Sequence, residues 1–259
     1  MKINHKLIIG MIAVCITGII GLIIIITSYR QTKISREVNI TKSDTIAINR
    51  VHNLIILDES GSMSGLEKIS VGGVNETIQT IKEAYHANPE QEQFLTLVTF
   101  SSQSDVRIVH HYISHNIMDV EEMSSDNFTP DGMTPLWDAM GNMCTRLEKE
   151  TDDETLVLVT IITDGMENAS TEYNRESIKA LVDRLDQAGW VFTYIGANQN
   201  AVLEANSMGI RNALQYNSDK DGTKEMWEKE RSSRKDFYER TRHIRSRHQL
   251  KDKYFENKQ

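Results

Sequence analysis

Residues 54 to 62 read Leu-Ile-Ile-Leu-Asp-Glu-Ser-Gly-Ser, an apolar run that turns directly into three oxygen-bearing side chains at alternate positions, Asp58, Ser60 and Ser62. Together with Val51, the run through Leu57 is the short apolar stretch that a central parallel strand, buried on both faces, requires, although His52 and Asn53 interrupt its start. Its polar end has two readings. A strand that ends in Asp, Ser and Gly makes an ordinary turn at the edge of an α/β sheet. The same loop is also suited to a hard cation: magnesium takes about six oxygens at roughly 2.0–2.1 Å, a few of them from protein and the rest from water or a partner.

Two later segments bear on that choice. Gly132-Met133-Thr134-Pro135-Leu136 precedes a helical pattern, and Leu156 to Ile162 is a second buried-strand run that ends in Thr163-Asp164-Gly165. Ligands of open α/β sheets bind outside the carboxyl ends of the strands, so Asp58 and Asp164 can meet at one rim. With these residues in place the chain resembles a von Willebrand factor A domain carrying a metal-ion-dependent adhesion site. The family's Asp-x-Ser-x-Ser element matches Asp58, Ser60 and Ser62, its separate threonine matches Thr134, and its later aspartate matches Asp164. The likeness runs over roughly residues 50 to 217, and three matched segments in order are far more specific than any one of them. The resemblance implies that Ser60, Ser62 and Thr134 touch the metal directly or nearly so, while Asp58 and Asp164 act largely through water. It implies Mg2+, with Mn2+ or Ca2+ as alternatives, and an open coordination position for a carboxylate of a partner protein.

The rest of the chain fits a doubly wound α/β fold. Val74, Ile78, Ile81 and Tyr85 share one helical face, and Asn88-Pro89 ends that helix. Phe94 to Phe100 and Val106 to Tyr112 form a hairpin-like pair, which predicts one antiparallel edge strand on a mostly parallel sheet. Leu136, Met140, Met143 and Leu147 keep helical spacing, as do Ile178, Leu181, Val182 and Leu185, with Gly189 as a stop before the strand at Trp190 to Ile195. Strands that alternate with helices put helices on both faces of the sheet. The segment from Gly189 to Asn198 also resembles a strand and loop of bacterial and phage members of the family.

Outside this domain the sequence predicts an N-terminal anchor over residues 1–28, a polar linker over 29–49, and a charged, helical tail over 218–259 that follows a domain over 50–217. Leu7 to Ile26 holds no charged residue and is long enough to cross a bilayer as a helix. A cleaved signal peptide is the competing reading, but its apolar core is about 7 to 15 residues and ends at a small-residue site. Lys2 and Lys6 before the run and Arg30, Lys33 and Arg36 after it nearly balance, so the side that carries the domain stays open. From residue 223 onward twelve Lys and Arg stand against seven Asp and Glu, a local charge of +5, whereas residues 1–222 carry −13. Such a tail reads first as a solvated mixed-charge helix. Contact with anionic lipid is the lesser reading, and nucleic acid is not expected as a partner.

The two cysteines do not suggest a disulfide framework, since Cys15 lies in the apolar run and Cys144 in the domain. No Gly-x-Ser-x-Gly elbow surrounds Ser60, and no phosphate-binding glycine loop with a lysine is present. His110 and His111 are neighbours on a strand and face opposite ways. A phosphatase-like Asp58 nucleophile would call for a second aspartate where Ser60 stands. The expectation is a binding protein, not an enzyme. The alternative is a membrane-tethered scaffold with a structural metal, in which the basic tail makes the contacts.

Overall fold

The computed structural model describes residues 48–197, 200–242, 244, 247–251 and 253–255. The apolar run at 7–26 and the linker lie outside the described residues; among the described residues no helix is long and apolar enough to cross a membrane.

β1 (Arg50–Asp58) is buried from Val51 to its end, the polar His52 and Asn53 included, as a central strand covered on both faces requires. It lies in the middle of a six-stranded sheet with β2 (Glu92–Ser102) on one side and β4 (Thr155–Thr163) on the other. The full order is β3-β2-β1-β4-β5-β6, with β3 at Val106–Asn116, β5 at Val191–Ala197 and β6 at Asn212–Tyr216. All pairs are parallel except β2 with β3, the expected antiparallel edge. From β1 the chain steps outward to β2 and later returns to β4 on the other side. A switch of direction of this kind opens a crevice at the carboxyl ends of the two strands. In register, Asp58 pairs with Phe100 and Leu57 with Ile162, so the ends of β1 and β4 are level.

Side chains alternate across the sheet, as strand geometry demands. Val51, Ile55 and Leu57 of β1, Leu95 and Leu97 of β2, and Leu156 and Leu158 of β4 face α1 (Glu67–Ala87) and α5 (Lys220–Thr241). Leu54, Ile56, Val98, Phe100, Val157, Val159 and Ile161 face α2 (Leu136–Glu150), α3 (Arg175–Gln187) and α4 (Ala201–Ser207). The helical stripes read from the sequence fall on these contacts: Val74, Ile78 and Ile81 of α1 are buried, as are the four named residues of α2 and of α3. Gly189 ends the third helix with φ +96°, a conformation that glycine adopts without penalty.

Three elements depart from the expectations. Both hairpin strands extend two or more residues past their apolar runs, and the turn shrinks to Gln103-Ser104-Asp105. Neither α4 nor β6 carries a periodic apolar signal long enough to read. The third departure is the stretch from residue 218 on, which does not stand apart from the domain. α5 buries Met226, Trp227, Glu230, Ser233, Arg234, Phe237, Tyr238 and Thr241, and Leu250 and Tyr254 beyond it join the same core. Trp227 sits so close to α1 that a Cβ on Gly73 would fall 2.0 Å from its ring. Part of the basic surplus is paired, Arg231 with Glu76 and Lys235 with Glu83 on the surface, and the buried Lys251 with Asp186.

Candidate functional site

Asp58 is the last residue of β1 and has no exposed surface. Its Oδ1 accepts the Ser60 N–H at 2.7 Å and its Oδ2 accepts the Thr163 hydroxyl at 2.6 Å. Burial pushes its carboxyl up to about 6, against the downward pull of those same hydrogen bonds. The turn that Asp58 fixes leads into a single 3-10 turn, Gly61–Met63, with Ser60 extended just before it. There the Ser60 and Ser62 hydroxyl oxygens lie 3.2 Å apart, and Ser62 donates to Asp164 Oδ1 at 2.5 Å. Asp164 follows β4 and takes a further hydrogen bond from the Ser218 hydroxyl at 3.1 Å, from the segment that precedes α5.

Thr134 arrives from the other side of the crevice. Gly132, with φ +78°, packs against β2 so tightly that a Cβ would meet Ser102 O at 2.1 Å, and Met133 exchanges backbone hydrogen bonds with Ser102. Glycine is therefore required at position 132 by both conformation and space. Thr134 itself is clasped by Asn168, whose Oδ1 accepts its N–H at 2.8 Å and whose N–H donates to its carbonyl at 3.1 Å. A Cβ on Gly165 would lie 3.2 Å from Thr134 Oγ1 and 3.6 Å from Ser62 Oγ, so both hydroxyls border the space in front of that glycine. The five residues singled out in the sequence thus come together at the ends of β1 and β4 and in the loop before α2. Ser62 is exposed, while the other four are buried, so the group opens to solvent on one side.

The donor set is two carboxyl groups and three hydroxyls, all hard oxygens and without nitrogen or sulfur. In an octahedron with bonds of about 2.1 Å, neighbouring ligands stand about 3 Å apart. The 3.2 Å between the Ser60 and Ser62 oxygens matches such an edge. These residues fit a small dication. Among the described residues there is no group of three or more His, Cys, Asp or Glu able to hold a metal. Cys144 is buried and its thiol is pushed up to about 12 by burial, which makes it a packing residue.

Sequence reading missed the residues that hold this group in place. Asp138 in the first turn of α2 accepts the N–H groups of Thr171, Glu172 and Tyr173. Glu167 accepts those of Trp137, Ala169 and Ser170. Together they fasten the loop after Asp164 onto the start of α2, and Asn168 sits between them. A buried acid near a helix N-terminus is a faint signal, because such residues usually only cap.

A von Willebrand factor type A domain model matches residues 54–228, more than half of the chain. No curated protein matches. Among solved structures, the pilus adhesin SpaC of Lactobacillus rhamnosus GG, in an open conformation, superposes with a TM-score of 0.54 at 11% identity, over 73% of this chain and 30% of that one. Proximal thread matrix protein 1 from the mussel byssus gives 0.49 at 18%, over 70% and 44%. The manganese-loaded TRAP protein of Plasmodium vivax gives 0.48 at 16%, over 67% and 70%. The chain spans less than half the length of the mussel protein, and at these identities the likeness speaks to the fold alone. The family match, the switch-point crevice and the strand order agree, and the chain belongs to the von Willebrand factor type A domain family.

Proposed function

We propose that this domain binds a divalent cation, Mg2+ in the first instance, through Asp58, Ser60, Ser62, Thr134 and Asp164, and uses it to capture an acidic side chain of a partner protein. The observation that carries the reading is the meeting of three hydroxyls and two carboxyl groups at the switch point, with Ser60 and Ser62 at ligand-edge spacing. The ion would supply an electrophilic centre for an incoming carboxylate. The chain's own residues hold the hydroxyls in place and keep one side open at Ser62. The apolar run at 7–26 would tether the domain to a membrane as a single-pass anchor, with its sidedness open. Both oxygens of Asp58 are engaged by Ser60 and Thr163, which supports binding over nucleophilic attack. The inward packing of α5 takes from the scaffold reading the free tail that it needs.

Calorimetric titration of Mg2+ into the wild type and Asp58→Ala tests the site. The variant is expected to bind at least about 10- to 100-fold more weakly, the usual effect of removing a group that orients a metal's ligands. Circular dichroism in chelator should show the same fold for both. Equal heats from the two proteins would sink the site. Manganese and calcium titrations on the same samples would rank the ions.

A further inference from the structure

Glu59 lies between two of the proposed metal residues, yet its side chain turns away from them and is 2% exposed. Its Oε1 accepts the Thr129 N–H at 2.6 Å, and its Oε2 accepts the Thr99 hydroxyl at 2.7 Å and lies 3.4 Å from Arg107 Nη2. The Thr99 hydroxyl has only one hydrogen, and it goes to Glu59. The His111 Nε2 3.0 Å away must therefore carry the hydrogen of the next bond. Along the main chain, the Glu59 carbonyl accepts the Asp131 N–H at 3.0 Å and Gly61 N–H donates to Gly132 O at 3.0 Å. One residue thus joins the loop that carries Asp58, Ser60 and Ser62 to the loop of residues 129–134 that delivers Thr134. Glu59 also lines a cavity of about 450 Å3 beside β3, together with Arg107, His111 and Thr129 among others.

We infer that Glu59 is a positioning residue of the metal site: it makes no contact with the ion, and it sets the distance between Thr134 and the two serines by gripping Thr129. Burying a carboxyl group is costly unless it is fully bonded, and a turn at the end of a strand would ordinarily place a side chain such as this in water. Here it is satisfied entirely by groups of β2, β3 and the Thr134 loop, which is what a clamp between segments requires. The inference rests on the proposed metal reading.

The test is a double-mutant cycle read as Mg2+ affinity by calorimetry, with wild type, Glu59→Ala, Thr134→Ala and the double variant, and Glu59→Gln as the conservative change. Urea unfolding in chelator checks that each variant is folded. Glu59→Ala is expected to weaken Mg2+ binding about tenfold. In the Thr134→Ala background the same change should cost less than about twofold, because the hydroxyl it places is gone. Glu59→Gln keeps an acceptor for Thr129 and should recover most of the loss. If the two single losses multiply in the double variant, Glu59 acts only on general stability and the proposal is overturned. It is likewise overturned if Glu59→Ala binds like the wild type. If the wild type itself takes up no divalent ion, the metal reading falls and the inference goes with it, an outcome distinct from the other two.

Discussion

α3 and α5 cover opposite faces of the same sheet with different chemistry. α3 buries Ile178, Leu181, Val182 and Leu185 and nothing polar. α5 buries Arg234 and Glu230 in its middle turns, both with no exposed surface. Arg234 donates to Glu230, to Asn53 of β1 at 3.0 Å and to Thr160 of β4 at 2.8 Å, while Tyr238 donates to Asn53 at 2.7 Å and Tyr254 to Glu230 at 3.0 Å. An apolar stripe can slide or turn slightly with little loss, since contacts between methyl groups are not directional. A guanidinium that must reach two neighbouring strands at once is satisfied at one register only. The sheet is thus held by an adaptable layer on one side and a keyed layer on the other. The keyed helix begins at Lys220, two residues after Ser218, the residue that hydrogen-bonds Asp164.

Breaking the key should produce the largest effect. Arg234→Ala leaves Glu230 buried without its partner and is expected to cost about 3–5 kcal/mol in urea unfolding. Replacing both members with apolar residues of similar size, Arg234→Met with Glu230→Leu, should cost less than the single change, because no charge is then stranded. A double variant as unstable as Arg234→Ala would mean that the loss comes from packing and not from the ion pair.

The adaptable face has a titratable exception in its sheet layer. His52 of β1 is buried with its Nε2 2.8 Å from Thr96 Oγ1, and burial lowers it from 6.5 to about 4 despite the opposing pull of Glu150. The unfolded chain takes up this proton near pH 6.5 and the folded chain only near 4. The stability linked to His52 is therefore complete above pH 6.5 and is lost as pH falls from 6.5 to 4, on the order of 3 kcal/mol in all and about 2 by pH 5. Unfolding curves at pH 7.5 and 5 should show that drop in wild type and a smaller one in His52→Asn. Equal drops in both proteins would place the acid sensitivity elsewhere.

The same contrast decides what could be read from the sequence. α3 announces itself because all four of its buried positions are apolar and recur at helical spacing. α5 is just as regular: Thr223, Met226, Trp227, Glu230, Ser233, Arg234, Phe237, Tyr238 and Thr241 trace one helical face. Its middle is polar, however, so a search for apolar period finds only scattered aromatics and takes the helix for a solvated tail. That Asp58, Ser60, Ser62, Thr134 and Asp164 come together at the proposed site was legible because side-chain type and order carry them. Asn168, Asp138 and Glu167 were not, because they work by accepting backbone N–H groups of loops whose path the sequence does not reveal. α4 and β6 are too short for a period to emerge.

The smallest effect should come from the centre of the adaptable face. Ile161 of β4 is fully buried there, beside Ile56 of β1 and Tyr194 of β5 in register. Ile161→Val removes one methylene, keeps the β-branch that suits a strand, and leaves no polar group unpaired. The expected loss is about 0.5–1.5 kcal/mol, with the urea slope unchanged. The buried cluster on this side includes Leu, Met and Val side chains that can close part of the gap. A loss as large as that of Arg234→Ala would show that the apolar layer is keyed as tightly as the polar one, and the distinction between the two faces would then lie only in how they are read, not in how they hold the sheet.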